Sequence, residues 1–177
     1  MTKHRMKRHA VIQPQDQSYR LIPLTQGQNA IVDTADFDWL SQWNWCAHWN
    51  PDTRSFYANR NNGETSVWMA REILDCVSIE EADHRNHDTL DNRRENLRKA
   101  TRSQNQSNAR TRSTSKSGYR GVSWNKNMRK WESRITVNRK TSYLGSFTSA
   151  QDAAKAYDEV VHSRHGDFAV PNFSIGA

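Results

Sequence analysis

Cysteine is scarce in this 177-residue chain: only Cys46 and Cys76 occur, far apart and outside any C-x-x-C pair. That argues against a zinc knuckle or a disulfide framework and fits an intracellular, reducing setting. No apolar run approaches the roughly 20 residues of a membrane span. The N-terminus carries Lys3, Arg5, Lys7 and Arg8, but no hydrophobic stretch follows, so a secretory signal is not expected. Apolar residues make up 34% of the chain and mean hydropathy is -1.01. One large core cannot be built from that material; two thin ones can.

Aromatic residues are present in number, with 7 Trp, 5 Tyr and 5 Phe in patterned segments, which excludes bulk disorder. Formal net charge is +7. A polyanion, either nucleic acid or an acidic membrane surface, is the expected partner. The charge is concentrated: from Arg110 to Lys140 there are ten basic side chains and a single acid, Glu132. A solvated face would interleave both signs, so this stretch reads as a docking surface.

The chain divides into three segments. Up to Ile79, Asp38 to Trp43 reads as one or two helical turns, and the alternation Trp43, Trp45, Ala47, Trp49 reads as a strand. Turn signals at Asn50-Pro51-Asp52 and Asn61-Asn62-Gly63 bracket a partner strand at Phe56-Tyr57-Ala58, and Ser66 to Met69 follows. This is a β-meander whose tryptophans are expected to form a core, the alternative being an aromatic platform for bases. Residues 80–108 are polar, and Ala109 to Ser117 has the composition of a linker. From Gly118 to Phe173 the pattern is strand (119–124), turn, strand (130–137), turn, strand (141–147), then a helix with a capping box from Thr148 to Gln151. Small residues at helical spacing (Ala150, Ala153, Ala154, Tyr157) let that helix lie close on a three-stranded antiparallel sheet, and Gly166 stops it. The other face of the sheet has nothing in the sequence to cover it.

Chemistry concentrates in residues 81–108, EADHRNHDTLDNRRENLRKATRSQNQSN. Asp83-His84 sets a carboxylate beside an imidazole. A turn at 89–92, a return strand at 96–98 and a helix opened by Thr101 with Gln104 form a hairpin followed by a helix. That order is expected to bring Asp83 near Asn105, two oxygen donors suited to a hard, hydrated divalent ion. A neutral imidazole beside the ion, His84, can take a proton from water. The competing reading of Asp83-His84 is an ion pair capping a hairpin. Asp91 and Asn92 read as turn formers. Arg93, Arg94 and Arg98 either grip phosphates or solubilise an exposed hairpin.

The pattern DHxxxDxxDNRxxNLR followed by T-R-S-x-N resembles the HNH endonuclease family, in the branch of phage and intron homing endonucleases. The resemblance implies a ββα-metal fold, with Asp83 and Asn105 as ligands of Mg²⁺ or a similar cation such as Mn²⁺ and His84 as general base. Asn96 would hold the loop that orients His84, and the ion would neutralise the leaving 3′-oxygen. Asn105 stands where the family often has His, and Ala70 stands where relatives also often have His. His87 stands where Gly is frequent and is a further candidate ligand or phosphate contact.

The last segment resembles the AP2 DNA-binding domain, through Tyr119-Arg120-Gly121-Val122, Trp131, Ile135, Leu144-Gly145, Phe147, Ala153-Ala154, Ala156-Tyr157-Asp158 and Asn172-Phe173. It implies a sheet face laid in the major groove, with Arg120, Trp124, Arg129, Arg134 and Arg139 meeting bases and phosphates. A short antiparallel sheet fits the roughly 12 Å groove, and arginine can bind guanine bidentately. Arg120 shares its strand face with Val122, so it either reads a base or packs in the core.

The expectation is thus an α+β protein with an HNH nuclease domain at 1–108, a basic linker at 109–117 and an AP2-like domain at 118–173. It acts on double-stranded DNA, with no membrane and no small-molecule substrate, in the cytoplasm of a bacterial host or from a phage. Arg93 and Arg98 are added to the DNA-contact set. The alternatives are a non-catalytic DNA-binding regulator with a vestigial HNH module, disfavoured by the intact set Asp83, His84, Asn96 and Asn105, and an RNA binder, disfavoured by the deep A-form groove.

Overall fold

Short strands joined by Asn-, Asp- and Gly-bearing turns build most of the chain. The computed structural model describes residues 8–108 and 116–173, and the chain divides between Ala100 and Thr101 into two compact units.

In the first unit, β1 (Tyr19–Pro23) pairs antiparallel with β2 (Asn29–Asp33) around a turn in which Gln26 and Gly27 both take positive φ. Ile22, Ala30 and Val32 point into the core with Leu24. Helix α1 (Thr34–Ser41) adds Leu40. The meander follows as β3 (Cys46–Asn50), β4 (Ser55–Asn61) and β5 (Ser66–Trp68), in spatial order β3-β4-β5. Ala47 and Ala58 face each other across the register on the core side, so His48 and its partner Tyr57 take the other face. Helix α2 (Met69–Ile73) leads to the hairpin β6 (Glu81–His84) and β7 (Leu97–Ala100).

The tryptophans correct the sequence reading. Trp45 alone of them is fully buried, donating its indole N–H to Leu40 O at 2.8 Å. The strand starts at Cys46, so Trp43 lies before it and stacks under the Arg60 guanidinium, 4.3 Å from the ring centre. Trp43 and Trp49 are nearly half exposed. The meander core is made mostly of Ala, Met, Ile and Leu.

The second unit begins with α3 (Arg102–Asn108), where Gln104 N–H donates to Thr101 Oγ1 and Thr101 N–H to Gln104 Oε1, the expected capping box. Ser103 Oγ accepts the N–H of Asn138, which ties α3 into this unit eight residues before the expected linker. Most of that linker, residues 109–115, lies outside the described residues, as do Arg110 and Arg112. Then β8 (Val122–Asn125), β9 (Lys130–Val137) and β10 (Lys140–Phe147) form an antiparallel sheet in the order β10-β9-β8, backed by α4 (Ala150–His165). Asn138 and Arg139 both adopt positive φ, the pairing a tight hairpin between twisted strands requires. Ile135, Tyr157 and Val161 form one core cluster, and Val122, Ala153 and Ala154 another. Each large apolar side chain sealed this way contributes about 1.5–3 kcal/mol.

Two boundaries move. Ser149, not Thr148, caps α4, because its extended backbone lets Oγ accept from the N–H groups of Gln151 and Asp152. The first strand of the sheet starts at Val122 rather than Tyr119. Gly121 sits at φ +73°, and a Cβ there would meet the Tyr157 ring at 2.3 Å, so the chain turns rather than extends. No helix among the described residues is long and apolar enough to cross a membrane.

Candidate functional site

The loop joining β6 to β7 is held by turn-type backbone bonds of its own, by bonds to β2 and by side chains that satisfy part of its remaining backbone. Asn92 N–H donates to Ile31 O and Ile31 N–H to Leu90 O, both at 2.8 Å, so the loop is stitched to β2. Asn96 works from the opposite side: its Oδ1 accepts Asn86 N–H at 3.0 Å and its Nδ2 donates to Asp91 O at 2.7 Å. The two ends of the loop are thereby clamped around one buried amide. His87 adopts φ +63°, the left-handed region that explains why glycine is frequent at this position in the family it resembles.

His84 ends β6 and is buried. Its Nε2 lies 3.3 Å from Asn92 Oδ1, while Asn92 Nδ2 donates to Leu90 O at 3.1 Å. An amide oxygen only accepts, so Nε2 carries the ring proton and Nδ1 is the basic nitrogen. Burial pushes the imidazole pKa below its ordinary value; the Asn92 hydrogen bond and the charges of Asp83, Asp88 and Asp91 pull the other way without overcoming it. His84 is therefore neutral at pH 7. The Tyr57 ring meets it edge-on, with centroids 6.4 Å apart.

Asn92 is the residue that sequence reasoning missed. Its position in a turn motif explains itself as a turn former, and only the closed loop places its side chain, 1% exposed, against the imidazole. Asp91 is likewise buried, and its Oδ1 and Oδ2 accept from Arg93 at 2.8 Å. Burial raises its pKa, but hydrogen bonds from Arg93 and Asn86 outweigh that and hold it below the usual carboxylate range.

Asp83 faces Arg98 directly across the hairpin, with Nε donating to Oδ2 at 2.6 Å and both side chains largely buried. Arg94 bonds Asp36 through two nitrogens at 2.8 Å, and its N–H reaches Asp33. The three hairpin arginines are thus engaged by carboxylates, and a phosphate contact from Arg93 or Arg98 needs its pair to open. Among the described residues no three His, Cys, Asp or Glu side chains gather to hold a metal. The donors available in the motif are a carboxylate and amides, which fits a hard ion that keeps most of its waters rather than a closed protein cage. Asn105 lies on α3, in the second unit.

In that unit the face of the sheet opposite α4 carries Lys130, Arg134, Thr136, Thr141 and Tyr143. Glu132 accepts from Arg134 at 2.7 Å and from Asn125 at 2.7 Å, so the one local acid is paired with an arginine. Arg134 nevertheless remains 52% exposed and lies over Tyr143, 5.9 Å from the ring centre. Arg129 and Arg139 stand exposed in the turns at positive φ. Trp124 shares its register position with Trp131 and packs against it, centroids 5.1 Å apart, on the helix side. Arg120 is half-buried beside Tyr157; burial lowers its pKa, and its charge in turn opposes the rise that burial imposes on Tyr157. Its backbone N–H donates to Asn172 Oδ1 at 2.6 Å.

Residues 80–107 match the family model described as HNH endonuclease. Over 90 residues the chain is 33% identical to an uncharacterized HNH endonuclease of Acanthamoeba polyphaga mimivirus, covering 51% of this chain and 46% of that protein. Over 60 residues it is 43% identical to an AP2-like ethylene-responsive transcription factor of Arabidopsis thaliana, covering 34% of this chain and 12% of the relative. The matches span less than half the length of either relative. They support an HNH endonuclease domain, and with it a nuclease.

Proposed function

We propose that the chain is a metal-dependent DNA endonuclease whose general base is His84. The observation that carries this reading is the placement of that imidazole: buried at the end of β6, with Nε2 3.3 Å from Asn92 Oδ1, and next in sequence to Asp83. Nδ1 is then the nitrogen that takes a proton from the attacking water. Asn96 and Asn92 act by positioning, since the first closes the loop and the second sets the ring. Asp83 would ligate Mg²⁺ or Mn²⁺, with His87 as a further candidate ligand; Asn105, the other ligand the resemblance implies, belongs to the second unit. Such an ion, when bound, supplies charge neutralisation at the leaving 3′-oxygen.

The basic sheet holds the enzyme on duplex DNA. Its contacts come from Arg134, Arg129 and Arg139, on the face opposite α4 or in the turns beside it. Arg120 braces α4 and Trp124 packs on Trp131. Joining a weakly binding nuclease to this sheet raises its local concentration on DNA.

The test is plasmid nicking with Mg²⁺. His84→Ala is expected to slow cleavage by about 10²–10⁴-fold while leaving affinity nearly unchanged. Full activity of the variant, or full activity in excess chelator, overturns the reading.

A further inference from the structure

Three aromatic rings line the open face of the β3-β4-β5 sheet and lead to the base. His48 and Tyr57 are register partners, and Trp68 enters from β5 beside Asn59. His48 meets Trp68 edge-on with centroids 5.2 Å apart, and Tyr57 meets Trp68 at 6.2 Å. Tyr57 then meets His84 at 6.4 Å. The rings are not core material, because the opposite face of the same sheet carries Ala47 and Ala58 into the interior. His48 is exposed, and Tyr57 and Trp68 are half-buried.

The remaining positions on this face are Ser, Asn and Cys, with no carboxylate among them. A cation stands at one edge: the Arg8 guanidinium donates to Trp45 O at 2.7 Å and lies 3.8 Å from Cys46 Sγ. An anionic polymer meets no carboxylate on that face, and Tyr57 lies in ring contact with His84, so a strand with a phosphate at His84 has this face beside it.

We propose that His48, Trp68 and Tyr57 form a stacking track for an unpaired nucleotide flanking the bond to be cut, which makes locally opened duplex the preferred substrate. This rests on the nuclease reading of His84. The rings can reach a base face only where that base has left the duplex stack, because paired bases show a protein no more than their edges. Stacking on aromatic side chains is tolerant of sequence, in keeping with a module that cuts and leaves base reading to the second unit.

The experiment compares two DNAs that differ only in the centre: a fully paired duplex, and the same duplex with a two-nucleotide unpaired bubble containing 2-aminopurine. Binding by the full chain is followed in chelator, so that cleavage plays no part; the paired arms are common to both, and the second unit's contribution cancels. The wild-type chain is expected to favour the bubble by about 5–150-fold, the equivalent of one stacked base, and to quench 2-aminopurine. Trp68→Ala should lose most of that preference and the quenching. His48→Ala, an exposed substitution, serves where Trp68→Ala is misfolded by circular dichroism, and Tyr57→Phe should keep the preference. Equal affinity of the wild-type chain for both DNAs overturns the proposal, as does a preference that survives in both alanine variants. If His84→Ala cuts like wild type, the nuclease reading fails while the bubble preference still decides whether the track binds DNA.

Discussion

The hairpin arginines of the first unit and the sheet arginines of the second meet different numbers of acids, for residues 110–140 hold only Glu132. In the first unit Arg93, Arg94 and Arg98 bond Asp91, Asp36 and Asp83, carboxylates that are at most 5% exposed. In the second unit Arg129 and Arg139 stand in open turns, and Arg134 keeps half its surface in solvent despite Glu132. The difference follows from the acids. A buried carboxylate must be compensated by a guanidinium, whether that group is sealed with it, as Arg98 is with Asp83, or stays half in solvent, as Arg94 does with Asp36 and Arg134 with Glu132; Arg129 and Arg139, in open turns, stay in solvent. Equal density of Arg in a sequence therefore hides two arrangements, ion-paired in one place and turned to solvent in the other.

The sharpest way to break this contrast is to remove one arginine of each kind. Arg98→Ala leaves Asp83 buried without its cross-strand partner, and loss of one member of a buried pair costs about 3–5 kcal/mol. Urea denaturation should show it, and a loss below about 1 kcal/mol would mean that water screens the pair. Arg134→Ala should cost less stability than Arg98→Ala, because Arg134 is half exposed and Asn125 still donates to Glu132, yet lower DNA affinity and reduce the salt slope by about one unit. If Arg134→Ala unfolds the protein, or Arg98→Ala weakens only DNA binding, the division between building and binding arginines is wrong.

Between these lies a test of whether half-buried Arg120 belongs with the builders. Gly121, beside it, holds φ +73° under the Tyr157 ring, with room for no Cβ. Gly121→Ala should cost of order 1–3 kcal/mol from backbone strain, before the ring displacement is counted. The same substitution should loosen Arg120 from α4, so a variant that keeps full stability would mean the turn relaxes and Arg120 is free to face DNA.

Legibility in the sequence tracked how local each determinant is. Strands β9 and β10 and helix α4 were readable because period-2 alternation, the Asn138-Arg139 turn and the small-residue stripe act within a few residues. The Trp43–Trp49 alternation misled: Trp43 answers to Arg60, seventeen positions on, rather than to a strand pleat. The β1–β2 hairpin passed unseen because its five-residue strands are short and one ends in Pro23. Motif spacing singles out Asp83, His84 and Asn96 as candidates, whereas it passes over Asn92. Its contact with His84 exists only once β2 has captured the loop.

The smallest expected effect compares one histidine from each unit. His84 and His165 both lie below the ordinary imidazole value of about 6.5. Burial is the larger cause in each; in His165 the Arg120 charge adds to it. A histidine kept neutral in the fold takes up a proton on unfolding, so between its depressed value and about 6.5 the unfolded state binds more protons and stability rises with pH. Above that window the contribution is constant; on acidification it is lost through both histidines. Activity should respond through His84 alone, so the acid limb of the nicking profile should lie below pH 6.5. His165→Gln is expected to lessen acid destabilisation, measured as the melting temperature at pH 5 relative to pH 7, while leaving that limb in place. A limb that moves with His165→Gln would tie the proton that limits cleavage to the second unit, and the base would not be His84.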